Sequence, residues 1–198
     1  MPMRIACHAA AALFLGACAQ VSPPPQTANQ VLAASTIRDS AFDTARIVST
    51  PPIVSKHQRG GGLYVFTDTA KTTIAVSQKK DTGTVIFLLT TTVEYGDRWR
   101  FYRTVSLIGG VTLVERAANR QVQSCRGVEC EFFESVVFEL PPAIVRKASD
   151  TGLALRLNAD VGPSLELSLP PQFIAAANTI ADTMLGVTGG RKHGDTGQ

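Results

Sequence analysis

The alternation of apolar and polar positions changes character along the chain. From Ala41 to Leu140 it favours strands: short runs rich in Val, Ile, Thr and aromatic residues, broken by Pro, Gly and Asp. Ala41–Ser49 reads as a first strand, stopped by Thr50-Pro51-Pro52. His57–Gly62 reads as a loop, Leu63–Thr67 and Thr72–Lys79 as short strands, and Asp81-Thr82-Gly83 as a turn. The clearest pattern is TVIFLLTTTVEY at 84–95, then Gly96-Asp97, then RWRFYRTVSL at 98–107. A Gly-X pair between two β-rich runs predicts a hairpin with a type II′ turn. In that register Glu94 faces Trp99, Thr92 faces Phe101 and Leu88 faces Val105. Both runs are apolar on both faces in their inner parts, which places the hairpin centrally in its sheet. Val111–Gln123 and Glu131–Leu140 follow, so the expectation is a meander of four consecutive antiparallel strands.

The period then lengthens. Pro141-Pro142 opens a short helix near 143–149, with Gly152 suited to its C-terminal cap. Leu153–Asn158 and Leu165–Leu169 alternate as strands around the turn Val161–Ser164. Pro170-Pro171 opens a second helix near 171–185. Its Phe173, Ile174, Ala177, Ile180, Ala181, Met184 and Leu185 share one face. The predicted fold class is mainly β / α+β: an antiparallel, β-sandwich-like sheet with the C-terminal helix packed on or beside it.

Composition narrows this picture without redirecting it. The 198 residues are 44% hydrophobic and 18% charged, which excludes wholesale disorder, collagen and coiled coil. No apolar run reaches the roughly 18–20 residues of a membrane-spanning helix. A net charge of +3 is too weak to imply a nucleic-acid partner.

The first twenty residues change the picture more. Arg4 is followed by an apolar stretch, Ile5–Leu15, of secretory length. It ends in Leu15-Gly16-Ala17-Cys18, which resembles the lipobox of bacterial lipoproteins. The resemblance implies a signal peptide at 1–17 and a diacylglycerol and an N-acyl chain on Cys18. It also implies attachment to a membrane through that lipid. Ala19 stands where an aspartate would retain an enteric lipoprotein in the inner membrane. The expected location is therefore the cell envelope, at the periplasmic side of the outer membrane. Two or three acyl chains hold a protein firmly, at about 0.8 kcal/mol per buried methylene. Residues 18–40, with Pro23-Pro24-Pro25, read as a tether, apart from a helical turn over Val31–Ala34. The body is then 41–185, a typical single-domain size, and 186–198 is a polar tail expected to be disordered.

The chain has four cysteines. Cys7 leaves with the signal and Cys18 carries lipid. Cys125 and Cys130 remain, in CRGVEC. An exported chain meets an oxidising compartment, so a disulfide closing a tight hairpin is expected. Four intervening residues do not suit a redox dithiol, and His57 and His193 are too few to complete a zinc site. No metal and no cofactor besides the covalent lipid are expected.

Few residues suggest chemistry. His57 is expected as an exposed loop histidine. Glu129, Glu131, Glu134 and Glu139 cluster, but alternation puts Glu131 and Glu134 on opposite faces; pairing with arginines on neighbouring strands is the simpler reading. Arg98, Trp99, Arg100 and Tyr102 form the candidate interaction surface, basic and aromatic together, although an amphipathic strand with one core aromatic face and cross-strand pairs such as Glu94–Arg100 is the simpler reading. The expected function is a non-enzymatic accessory or protein-interaction module of the envelope, with an envelope protein as partner. The alternative is a carrier for an apolar, lipid-like ligand held between sheet and C-terminal helix.

Overall fold

The computed structural model describes residues 24–60, 66–127 and 129–187. The expected signal peptide, Cys18 and most of the polar tail lie outside these. Helices are α1 (Ala28–Ala33), α2 (Pro142–Lys147) and α3 (Pro171–Met184). Strands are β1 (Thr36–Arg38), β2 (Ala45–Ser49), β3 (Ile53–Arg59), β4 (Phe66–Lys79), β5 (Val85–Gly96), β6 (Tyr102–Leu107), β7 (Thr112–Val114), β8 (Ala117–Arg126), β9 (Glu129–Leu140), β10 (Leu153–Ala159) and β11 (Leu165–Leu169).

The strands form two antiparallel sheets, as the predicted mainly β / α+β class requires. The larger runs β1-β2-β4-β5-β9-β8, and β3 also pairs with β4. The smaller runs β11-β10-β6-β7. β4 is one long strand where two short ones were expected. Its lower half pairs with β3 and its upper half with β2, because Pro51-Pro52 bends the chain between them.

One face of the large sheet carries the core. Along β4, Asp68, Ala70, Thr72, Ile74 and Val76 alternate inward and are buried; along β9, Phe132, Glu134, Val136, Phe138 and Leu140 do the same. The small sheet answers with leucines: Leu153, Leu155 and Leu157 of β10, and Leu165, Leu167 and Leu169 of β11. α3 buries Phe173, Ile174, Ala177, Ile180 and Ala181 against the same core, while Met184 is half-buried and Leu185 exposed. No helix among the described residues is long and apolar enough to cross a membrane.

Three expectations need correction. The hairpin at Gly96-Asp97 does not form: β5 is central in the large sheet, between β4 and β9, but β6 belongs to the small sheet. The chain crosses between sheets over residues 97–101, using positive φ at Asp97 (95°) and Phe101 (52°). The meander therefore breaks, and β9 fills the place expected for β6. Secondly, residues 28–38 are not tether. Thr27 and Gln30 form a capping box, Val31 is fully buried, and β1 pairs with β2. The buried valine joins α1 to the core, so the body starts at about Ala28. Thirdly, His57–Arg59 extends β3 and is not a loop, because it pairs with Phe66–Asp68.

Cys125 and Cys130 face each other across the β8–β9 turn, with sulfurs at bonding distance, 2.06 Å. The loop is short, so the double variant Cys125→Ser/Cys130→Ser is expected to lose only about 2 kcal/mol, by urea unfolding, and to keep its far-UV dichroism. Gly152 is a more sensitive position. Its N–H caps α2 by donating to the Ala148 carbonyl at 2.8 Å, and it sits at φ 74°. A Cβ there would lie 2.5 Å from the Leu169 carbonyl oxygen. Gly152→Ala is therefore expected to cost more than the roughly 1 kcal/mol of left-handed backbone alone, seen as a lowered melting temperature.

Candidate functional site

The densest polar constellation lies where the chain crosses between sheets. Asp68 of β4 and Glu134 of β9 occupy inward positions of their strands and are fully buried. Alternation alone places them there, since each replaces an apolar residue in an otherwise inward-facing row.

Asp68 is held by two guanidinium forks. Arg59 donates from Nε to Oδ2 at 2.7 Å and from Nη2 to Oδ1 at 3.0 Å. Arg100 donates from Nη1 to Oδ2 at 2.7 Å and from Nη2 to Oδ1 at 3.0 Å. The Arg100 guanidinium also lies over the Tyr95 ring, 4.2 Å from its centroid, and donates to the Tyr102 hydroxyl at 2.9 Å. Glu134 does a different job. Its Oε1 accepts from the Tyr95 hydroxyl and from the backbone N–H groups of Arg100 (3.2 Å) and Phe101 (3.0 Å). Its Oε2 accepts from the Tyr102 N–H at 3.1 Å and from Arg120 Nε at 2.9 Å. Arg120 reaches Glu115 at 2.9 Å and completes the cluster.

Three arginines thus balance three acids. Burial acts to raise the Asp68 carboxyl, but the hydrogen bonds from Arg100 and then Arg59 outweigh it and hold the group below its ordinary range. Burial also opposes the Arg100 charge, and Asp68 restores it, so that guanidinium is held more firmly protonated. The Tyr95 hydroxyl is pushed far up, by burial first and then by its bond to Glu134; it stays a proton donor at any working pH. Each oxygen of both buried carboxylates accepts at least two hydrogen bonds.

The sequence-derived candidates separate here. Arg98, Trp99, Arg100 and Tyr102 do not form one surface. Arg98 is exposed, its side chain 73% accessible. Trp99 is half-buried against Phe132, with ring centroids 4.7 Å apart. Arg100 and Tyr102 are buried inside this cluster, which locks the crossover between the sheets. The surface reading fails because it assumed a strand at 98–101, whereas the crossover turns Arg100 inward and β6 buries Tyr102. Glu94, expected opposite Trp99, instead meets Lys71 at 2.8 Å. The reading of acids paired with arginines on neighbouring strands holds for Glu134–Arg120 and for Glu139, which Arg116 reaches just before β8. Glu131 is exposed and accepts from Ser124; it shares a small polar recess of about 220 Å³ with Glu94. His57 is half-buried opposite Asp68, and its Nε2 has no hydrogen-bond partner among the described residues. Among the described residues, no three His, Cys, Asp or Glu side chains converge as a metal site.

No protein-family model matches the chain, and the searches of curated proteins and solved structures return no match either.

Asp68→Asn leaves Arg100 buried without its charge partner. It is expected to cost about 3–5 kcal/mol in urea unfolding at pH 7. The native carboxyl lies below the ordinary value of 3.8. Its contribution is therefore complete above that value and is lost as pH falls through the lower, folded one. Wild type should lose stability in acid more steeply than Asp68→Asn; equal acid slopes would show that the pair does not carry this stability.

Proposed function

We propose that this protein is a lipid-anchored component of the bacterial cell envelope. It sits at the periplasmic side of the outer membrane and works as a non-enzymatic accessory or protein-interaction module. The observation that carries this reading is Leu15-Gly16-Ala17-Cys18 behind a secretory apolar stretch. Its lipid-bearing residue stands close to a folded body.

Two structural features support it. Only residues 19–23 separate Cys18 from Pro24, the first described residue. Whatever its conformation, that link spans at most about 20 Å. Pro25 is itself tied to the body, since its carbonyl accepts from Gln172 Nε2 at the start of α3, at 3.2 Å. The lipid therefore holds a particular end of the domain, the start of α1 and α3, toward the bilayer. The second feature is the saturated lock. Asp68 and Glu134 spend all their oxygens on structure, which suits a binding or scaffolding body better than a site for acid–base turnover.

Cys18→Ser tests the anchor. In cells grown with labelled palmitate the variant is expected to lose the label, remain unprocessed and leave the tightly bound membrane fraction. If it stays equally membrane-bound and equally processed, the lipobox reading is wrong. Crosslinking in intact cells tests the second part. Turnover of an envelope substrate by the purified protein, with no crosslinked partner, would replace the accessory role with an enzymatic one.

A further inference from the structure

A groove of about 260 Å³ opens between α1, β1, β2 and the C-terminal half of α3. Its apolar lining is Leu32, Ile37, Val48, Ile180 and Met184. Three hydroxyl residues complete the wall, Ser35 just past α1 and Thr179 and Thr183 on α3, and each turns its hydroxyl to a helix carbonyl. Ser35 donates to the Val31 carbonyl at 2.8 Å, Thr179 to Ala175 at 3.0 Å and Thr183 to Thr179 at 2.8 Å. What these residues show the groove is methyl and methylene surface.

Arg46 is the exception. It lies on β2 two residues before Val48, so both side chains share the face that α3 covers. Among the described residues its Nε is buried without a hydrogen-bond acceptor, while the side chain as a whole is 42% accessible. Its Nε is ion-paired with Asp39 at 3.7 Å, beyond hydrogen-bond distance. Asp39 is also held by Lys80, at 2.7 Å. An apolar slot therefore ends at a partly exposed cation that shares Asp39 with Lys80 and whose planar fork matches a carboxylate. The volume lies just under the roughly 300–1,000 Å³ of ordinary small-molecule pockets, which admits one slim chain and not a whole two-chain lipid.

We infer that this groove binds a single-chain anionic amphiphile of the fatty-acid class, with the chain along Leu32, Ile37, Ile180 and Met184 and the carboxylate on Arg46. The inference does not depend on Cys18 carrying a lipid.

The test uses the full chain with Cys18→Ser, which brings no acyl chain of its own. Decanoate and decanol are titrated separately while the methyl NMR signals of Ile37, Ile180 and Met184 are followed. Decanoate is expected to shift them saturably. Arg46→Gln should weaken decanoate at least tenfold and leave decanol unchanged. Ile37→Trp sits at a position 63% exposed, so it should fold normally, fill the groove and abolish both responses. The inference is overturned if decanoate shifts none of these methyls. It is equally overturned if Arg46→Gln binds decanoate as wild type does, or if only phosphatidylglycerol vesicles, and not free decanoate, perturb the groove. Failure here with loss of palmitate label in Cys18→Ser cells would remove the ligand and leave the anchor standing.

Discussion

Two buried carboxylates decide how this chain is folded. Asp68 and Glu134 both project from the large sheet and both close on the same short stretch, Arg100 to Tyr102. Asp68 takes the Arg100 side chain; Glu134 takes three successive backbone N–H groups. Together they fix the point at which the chain leaves one sheet for the other. Burying such charges costs several kcal/mol each, and an ion pair in a protein interior does not reliably return more than that. What the lock supplies is a choice between topologies. A hairpin at Gly96-Asp97 would leave both carboxylates buried with most of their donors withdrawn, at a penalty far above the gain from a locally favourable turn. The positive φ at Phe101 is tolerated because its N–H is one of the groups that Glu134 collects.

The rest of the architecture follows from that crossing. With β6 delivered to the small sheet, β9 is free to pair with β5, and β10 and β11 extend β6 into a leucine-faced layer. The large sheet has one inward face long enough for two coverings. Its end near Asp68 meets the crossover, and its end near Val76 and Gln78 meets α3. Gln78 marks the second contact, donating from Nε2 to the Met184 carbonyl at 2.8 Å at the close of that helix. β4 serves both ends because Pro51-Pro52 lets β2 and β3 share one edge of it without a continuous partner strand.

Local pattern read the elements well and their partners poorly, for a physical reason. α2, α3, β10 and β11 have boundaries set by proline, glycine and strict alternation, all of which act within a few residues. Strand pairing across Gly96-Asp97 was set by Glu134 and Asp68, some thirty residues away on either side. No window of turn chemistry contains that interaction. A signal was nevertheless present. In ECEFFESVVFEL, Phe132, Val136, Phe138 and Leu140 share one parity, and Glu134 falls on it. Asp68 falls likewise among Ala70, Ile74 and Val76. A lone acid on the apolar parity of a strand must find donors inside, and RWRFYR was the basic, hydrogen-bond-rich segment able to supply them. That string looked like a surface because basic side chains are usually exposed. Arg100 alone reverses the expectation, drawn in by Asp68, while Arg98 and Arg103 stay exposed.

The N-terminal helix joins the anchor question to the groove. α1 has only six residues, too few to be stable alone. It is held by its capping box, by Val31, whose burial contributes about 1.5–3 kcal/mol, and by contact with α3. Because α1 belongs to the body, the stretch between Cys18 and the fold is half as long as its proline-rich composition suggests. The same helix supplies Leu32 and Ser35 to the groove wall. A domain lifted on a long tether would sample the bilayer from many angles. One tied down at Pro25 and walled by α1 keeps the groove within a few tens of ångströms of Cys18, the residue proposed to carry lipid. An acyl chain moving between bilayer and groove would then cross a short gap at high effective concentration, a benefit that a longer link would dilute.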